Sequence, residues 1–133
     1  VSLSLKERTM KFIFPLIFAL TLAACDSGLT NKKDQITALN AIDNGALLVD
    51  VRTAMEVSTG SFDNAINIPH ERIVAGLEKL GVDKTQTIVV YCRSGNRSEQ
   101  AKTALEAAGY PTVINGGGYS DLRAVESAMH PKQ

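Results

Sequence analysis

Two apolar runs limit what this chain can fold into. "ALLVDV" (46–51) and "TIVVYC" (87–92) are of strand length and almost continuously apolar, without the polar alternation of a half-exposed strand. Such runs suit strands covered on both faces, the condition of a parallel sheet between helical layers. Around them the periodicity turns helical. "DQITALNAIDNG" (34–45) spaces Ile36, Leu39 and Ile42 as a helix does and stops at Asn44-Gly45. "HERIVAGLEKLG" (70–81) aligns Ile73, Leu77 and Leu80 and ends on Gly81; "SEQAKTALEAAG" (98–109) aligns Ala101, Ala104, Leu105 and Ala108 and ends on Gly109. "RTAMEVSTGSFDN" (52–64) is a long connection with room for one helical turn. "AINIP" (65–69) and "PTVIN" (111–115) read as short strands, "GGG" (116–118) as a permissive turn, and "YSDLRAVESAMH" (119–130) as a final helix. The expected fold class is α/β: a small parallel sheet covered by helices on both faces, without internal repeats.

The first quarter follows another logic. "MKFIFPLIFALTLAAC" (10–25) sets a lysine before a thirteen-residue apolar run, Phe12 to Ala24. A membrane-crossing helix needs roughly 20 apolar residues, so the run fits the shorter core of a secretory signal. It ends in "LAAC" (22–25), which resembles the lipobox of bacterial lipoproteins. That resemblance implies cleavage before Cys25, lipid on its sulfur and new amino group, and a weak inner-membrane preference from Asp26. Residues 1–9 before Met10 fit either a basic extension of the signal or an upstream start. The expected organisation is a signal peptide over 1–24, a polar tether over 25–34 and a globular domain over 35–133. The protein would then sit in the cell envelope, on the periplasmic side, anchored to a membrane by lipid.

Removing residues 1–24 takes away three basic and one acidic side chain from 14 of each, leaving a mildly acidic domain. No basic stripe interleaved with aromatics appears, which excludes nucleic acid as a partner. A lipidated Cys25 is a thioether, so Cys92 is left without a disulfide partner. An unpaired thiol in an oxidising compartment is a liability unless its reactivity is used.

The surroundings of Cys92 point to such use. In an open α/β sheet, ligands bind beyond the carboxyl ends of the strands. Cys92 closes an apolar strand there, and a helix is expected to begin near Ser98. The turn between them aims backbone N–H groups at one point, and the helix adds its positive end. That field favours a thiolate. Arg93 and Arg97 add cationic donors suited to an oxyanion, Ser94 and Ser98 add hydroxyls, Gly95 permits the tight turn, and Asn96 completes the loop. Together these residues describe a nucleophile whose small anionic adduct is cradled by the protein.

"CRSGNRS" (92–98) resembles the active loop of the rhodanese family of sulfurtransferases. "LLVDVRTAMEV" resembles that family's Asp-Val-Arg signature, "GSFDNAINIPH" its Gly-to-Ile-Pro segment and "GYPTVINGGGYSDL" its closing Gly-Gly segment, a span of residues 46–122. The layout is similar to signal-bearing single-domain members of the phage-shock-protein E type. The resemblance implies ping-pong transfer of sulfane sulfur, from thiosulfate or a similar donor, through a Cys92 persulfide to a thiol or cyanide acceptor. Backbone N–H groups of residues 93–98 would hold the persulfide, and Arg93 and Arg97 the donor's sulfonate. Cysteine phosphatases use Cys-x5-Arg-[Ser/Thr]; the spacing here is Cys-x4-Arg-Ser, a tighter ring suited to one sulfur atom. The alternative reading is a non-enzymatic lipoprotein module that carries a persulfide or binds a partner.

Other residues receive structural readings. Asp50 and Arg52 are expected to pair as part of the frame. His70 is expected to cap or to face solvent, His130 lies in the tail, and Tyr119 and Leu122 are expected to pack the last helix. No group of His, Cys and carboxylate has ligand spacing, so neither metal nor cofactor is expected. Ser61 and Leu122 depart from the histidine and tryptophan common in the family, which bears on local packing and acceptor choice.

Overall fold

The computed structural model describes residues 31–133. The expected signal peptide, Cys25, Asp26 and the expected tether up to residue 30 lie outside the described residues. Five helices and four strands alternate: α1 (Lys32–Asp43), β1 (Leu47–Asp50), α2 (Ala54–Ser58), β2 (Ile66–Asn67), α3 (Ile73–Lys79), β3 (Ile88–Cys92), α4 (Asn96–Ala107), β4 (Val113–Gly118) and α5 (Tyr119–Met129). A 3-10 turn over His70–Arg72 leads into α3. The strands form one sheet in the order β2-β1-β3-β4, every pair parallel. This is the α/β sheet expected from the two apolar runs.

Strand alternation divides the core into two layers. Val49, Val51, Ile88, Val90 and Cys92 face Ile73 and Leu77 of α3 and Ala101 and Leu105 of α4. Leu48, Val89 and Tyr91 face Ala38 and Leu39 of α1 and Leu122 and Val125 of α5. With β3 wholly buried, the chain needs apolar residues at consecutive positions, and "IVVYC" supplies them.

Several boundaries differ from the sequence reading. Helix α1 starts at Lys32, where the Asn31 side chain accepts the Asp34 N–H, so the last residues assigned to the 25–34 tether are helical. The long connection contains α2, held by a reciprocal capping box between Thr53 and Glu56. Helix α4 begins at Asn96, two residues before Ser98, and Ala104 on it is exposed. Gly116, Gly117 and Gly118 are not a turn: they complete β4 and are buried. A glycine triplet carries no side-chain pattern, so its place in the sheet follows from what packs on it.

Candidate active site

The order β2-β1-β3-β4 makes the chain change direction between β1 and β3, and a crevice opens beyond their carboxyl ends. Asp50 ends β1 and Cys92 ends β3 at that point. The sheet is irregular between Val90 and Cys92, where β3 slips in register against β4 so that Cys92 pairs with Gly118. A Cβ on Gly118 would lie 2.6 Å from the Arg93 carbonyl oxygen, so only glycine lets the loop sit on β4.

The loop proper is three residues, Arg93 to Gly95. Gly95 caps α4 with φ +99°, a left-handed conformation that turns its N–H onto the Cys92 sulfur at 3.0 Å. The Ser98 hydroxyl stands 3.4 Å from the same sulfur. Burial alone pushes the Cys92 thiol up and is the largest single influence. The Ser98 hydroxyl and the N–H groups of Ser98, Ser94 and Gly95 together outweigh it, and the thiol is held below its ordinary value. Cys92 is fully buried, between the loop and the α3–α4 layer.

The two arginines have separate fates. Arg93 is exposed and borders a cavity of about 450 Å³ lined by Arg52, Met55, Glu56, Thr59, Tyr119 and Ser120. Arg97, expected as a second donor to a sulfonate, instead grips the Glu56 carboxylate with two N–H groups at 2.7 and 2.8 Å. That pair ties α4 to α2, and it holds the Glu56 carboxyl well below the usual carboxylate range. Ser94 and Asn96 are exposed, while Gly95 and Ser98 are buried against the sulfur.

Asp50 and Arg52 form the frame beneath. The Arg52 guanidinium donates to both Asp50 oxygens and, at 2.7 Å, to the Gly60 carbonyl, and lies 4.5 Å over the Tyr119 ring. This buried pair joins the end of β1 to the connection before β2, the structural role expected for it. His70 donates its backbone N–H to the Val51 carbonyl, and His130 meets Asp43 across α5 and α1. Leu122 is fully buried, and Tyr119 packs edge-on against Phe62.

Two residues that matter to the loop escaped the sequence reading. Glu56 was legible as the fourth residue of a Thr-x-x-Glu capping box, although its grip on Arg97 was not. Asn115, buried on β4, bonds to Ser98 and to the Gly95 carbonyl. It looked like an ordinary strand end.

The profile of the rhodanese-like domain matches residues 34–124, most of the described chain. The chain belongs to the rhodanese-like family. Among its relatives is the thiosulfate sulfurtransferase PspE of Escherichia coli K12, 36% identical over 74 residues, which cover 56% of this chain and 71% of that one. A sulfurtransferase of Allochromatium vinosum is 39% identical over 69 residues, 52% of this chain and 63% of that one. The tRNA uridine(34) hydroxylase of Sodalis glossinidius is 38% identical over 92 residues, 65% of this chain but 26% of that one, so the rhodanese-like chain spans about a quarter of it. In three dimensions the domain superposes on a rhodanese with anions from E. coli at a TM-score of 0.55 and 35% identity, over 58% of this chain and 91% of that one. The human single-domain sulfurtransferase TSTD1 shares the fold, with a TM-score of 0.56 at 22% identity over 74% of this chain and 96% of that one.

Proposed function

We propose that this rhodanese-like protein is a thiosulfate-type sulfurtransferase that works through a Cys92 persulfide. The observation that carries the reading is the Cys92 sulfur itself, met by the Gly95 N–H at 3.0 Å and by the Ser98 hydroxyl at 3.4 Å at the start of α4. These donors stabilise negative charge on sulfur without a general base. The thiolate attacks the outer sulfur of thiosulfate; the new S–S bond forms as the old one breaks, and its electron pair leaves with sulfite. The persulfide's terminal sulfur then takes the negative charge beside the loop's N–H groups. A thiolate or cyanide acceptor attacks that sulfur, and the electron pair returns to Cys92. Arg93 on the cavity rim serves the donor's sulfonate, while Arg97 maintains the loop's seat on α2.

Thiocyanate formation from thiosulfate and cyanide by the full chain, abolished in Cys92→Ser, is the expected result. Intact mass should rise by about 32 Da with thiosulfate and not in Cys92→Ser. Absence of both would refute the reading. A mass gain without turnover by any thiol or cyanide would favour the persulfide-carrying module instead.

The membrane anchor is part of the same proposal. Lipid on Cys25 would hold the domain at the periplasmic side of the cell envelope, and the apolar run ending in "LAAC" supports it. Incorporation of a labelled fatty acid, lost in Cys25→Ala, is the expected outcome; a Cys25→Ala protein that still takes up label refutes it.

A further inference from the structure

Asn115 stands on β4 and is 7% exposed. Its carboxamide makes four bonds. Nδ2 donates to the Gly95 carbonyl at 3.1 Å and to Glu99 Oε2 at 2.9 Å; Oδ1 accepts the Gly117 N–H at 2.9 Å and faces the Ser98 hydroxyl at 2.7 Å. The partners fix the orientation of the amide, since the Gly95 carbonyl and the Glu99 carboxylate only accept and the Gly117 N–H only donates.

The Ser98 hydroxyl has one hydrogen and three acceptors in reach. These are the Gly95 carbonyl at 2.9 Å, Asn115 Oδ1 at 2.7 Å and the Cys92 sulfur at 3.4 Å. A carbonyl oxygen has two lone pairs. Those of Gly95 already receive the Glu99 N–H at 3.0 Å and the Asn115 Nδ2–H. Asn115 therefore holds the Ser98 hydroxyl oxygen in two ways, directly through Oδ1 at 2.7 Å and through the Gly95 carbonyl that Nδ2 fixes. Oδ1 gives the hydroxyl hydrogen a resting place while Cys92 is a thiol and donates its S–H to Ser98. When the thiol ionises, the hydrogen turns to the sulfur, and Oδ1 keeps the Gly117 N–H.

We propose that Asn115 is a positioning residue for Cys92: bonded to both Gly95 and Ser98, it fixes the two residues whose donors face the sulfur. The inference rests on Cys92 being the nucleophile. Its readout is alkylation, which reports on the sulfur whether or not sulfur transfer is observed, so the two readings fail separately.

The test is the pH dependence of iodoacetamide alkylation of Cys92 in the full chain, followed by mass of the Cys92 peptide. Asn115→Leu should raise the midpoint by about one pH unit, an alkylation rate about tenfold lower below both midpoints. Ser98→Ala should raise it similarly. In the Ser98→Ala background, Asn115→Leu should move the midpoint by less than in the native background, because one of the two donors it fixes is already gone. An unchanged midpoint in folded Asn115→Leu overturns the proposal, as does a shift as large without Ser98 as with it. Circular dichroism reports folding. If Asn115→Leu does not fold, Asn115→Ala is read against the same two criteria.

Discussion

The Glu56–Arg97 pair can be weighed in numbers. Glu56 does two things at once: it closes the capping box of α2 with Thr53, and it holds both terminal nitrogens of Arg97, 41 residues away. Both partners are only about a quarter exposed, 27% and 28%, so solvent screens the pair less than a surface bridge. The cap contributes about 1 kcal/mol and a bidentate, partly buried pair about as much. Glu56→Ala should therefore cost about 2 kcal/mol, a fall in Tm of about 8–15 °C for a domain of this size. Thr53→Ala removes the cap alone and should cost half as much. Glu56→Gln keeps an acceptor for the Thr53 N–H and removes the charge.

Acid provides the discriminating assay. Arg97 and, after it, the Thr53 N–H depress the folded-state pKa of Glu56. A carboxyl depressed on folding adds stability that is complete above its unfolded pKa, about 4.3, and is lost as pH falls toward the folded value. The gap between native protein and Glu56→Gln in urea unfolding should be full at pH 7. Below about pH 4 it should shrink by up to about 1.4 kcal/mol per pH unit. A gap that stays constant from pH 7 to pH 3 would refute the ion pair as its source. Equal Tm values for Glu56→Ala and Thr53→Ala would do the same.

Three further outcomes bear on the site. Alkylation of native Cys92 should have its midpoint below the ordinary thiol value of about 8.5, so reactivity persists as pH falls through 8; a midpoint at or above 8.5 contradicts the loop's donors. Gly118→Ala forces a Cβ to 2.6 Å from the Arg93 carbonyl and should displace the loop, costing about 2 kcal/mol in urea unfolding and most of the persulfide formed from thiosulfate. Arg93, which makes no ion pair among the described residues, should affect donor binding alone. Arg93→Ala is expected to raise KM for thiosulfate about tenfold with little change in Tm, and an unchanged KM would remove Arg93 from the site.

What the sequence shows of this fold depends on where the information is stored. Burial on both faces of β1 and β3 needs apolar residues in series, a local demand, and "LLV" and "IVVY" answer it within a few residues. The Cys92 loop is also local: Gly95 must turn left-handed, and Ser98 follows six residues after the sulfur it faces. The remainder of the site is tertiary. Arg97 could be read only as a cation, because its partner lies 41 positions earlier on a five-residue helix. Asn115 and the three glycines after it have no apolar period, and their meaning comes from a backbone that passes within van der Waals contact of β4. The same fact joins them. Gly118 lets the Arg93 carbonyl approach, Gly117 donates to the Asn115 carboxamide, and that carboxamide reaches Gly95 and Ser98. Strand β4, an edge of the sheet, is thus also the base of the loop. A chain that kept "CRSGNRS" but changed "NGGG" would keep the cysteine and lose the surface that sets its donors.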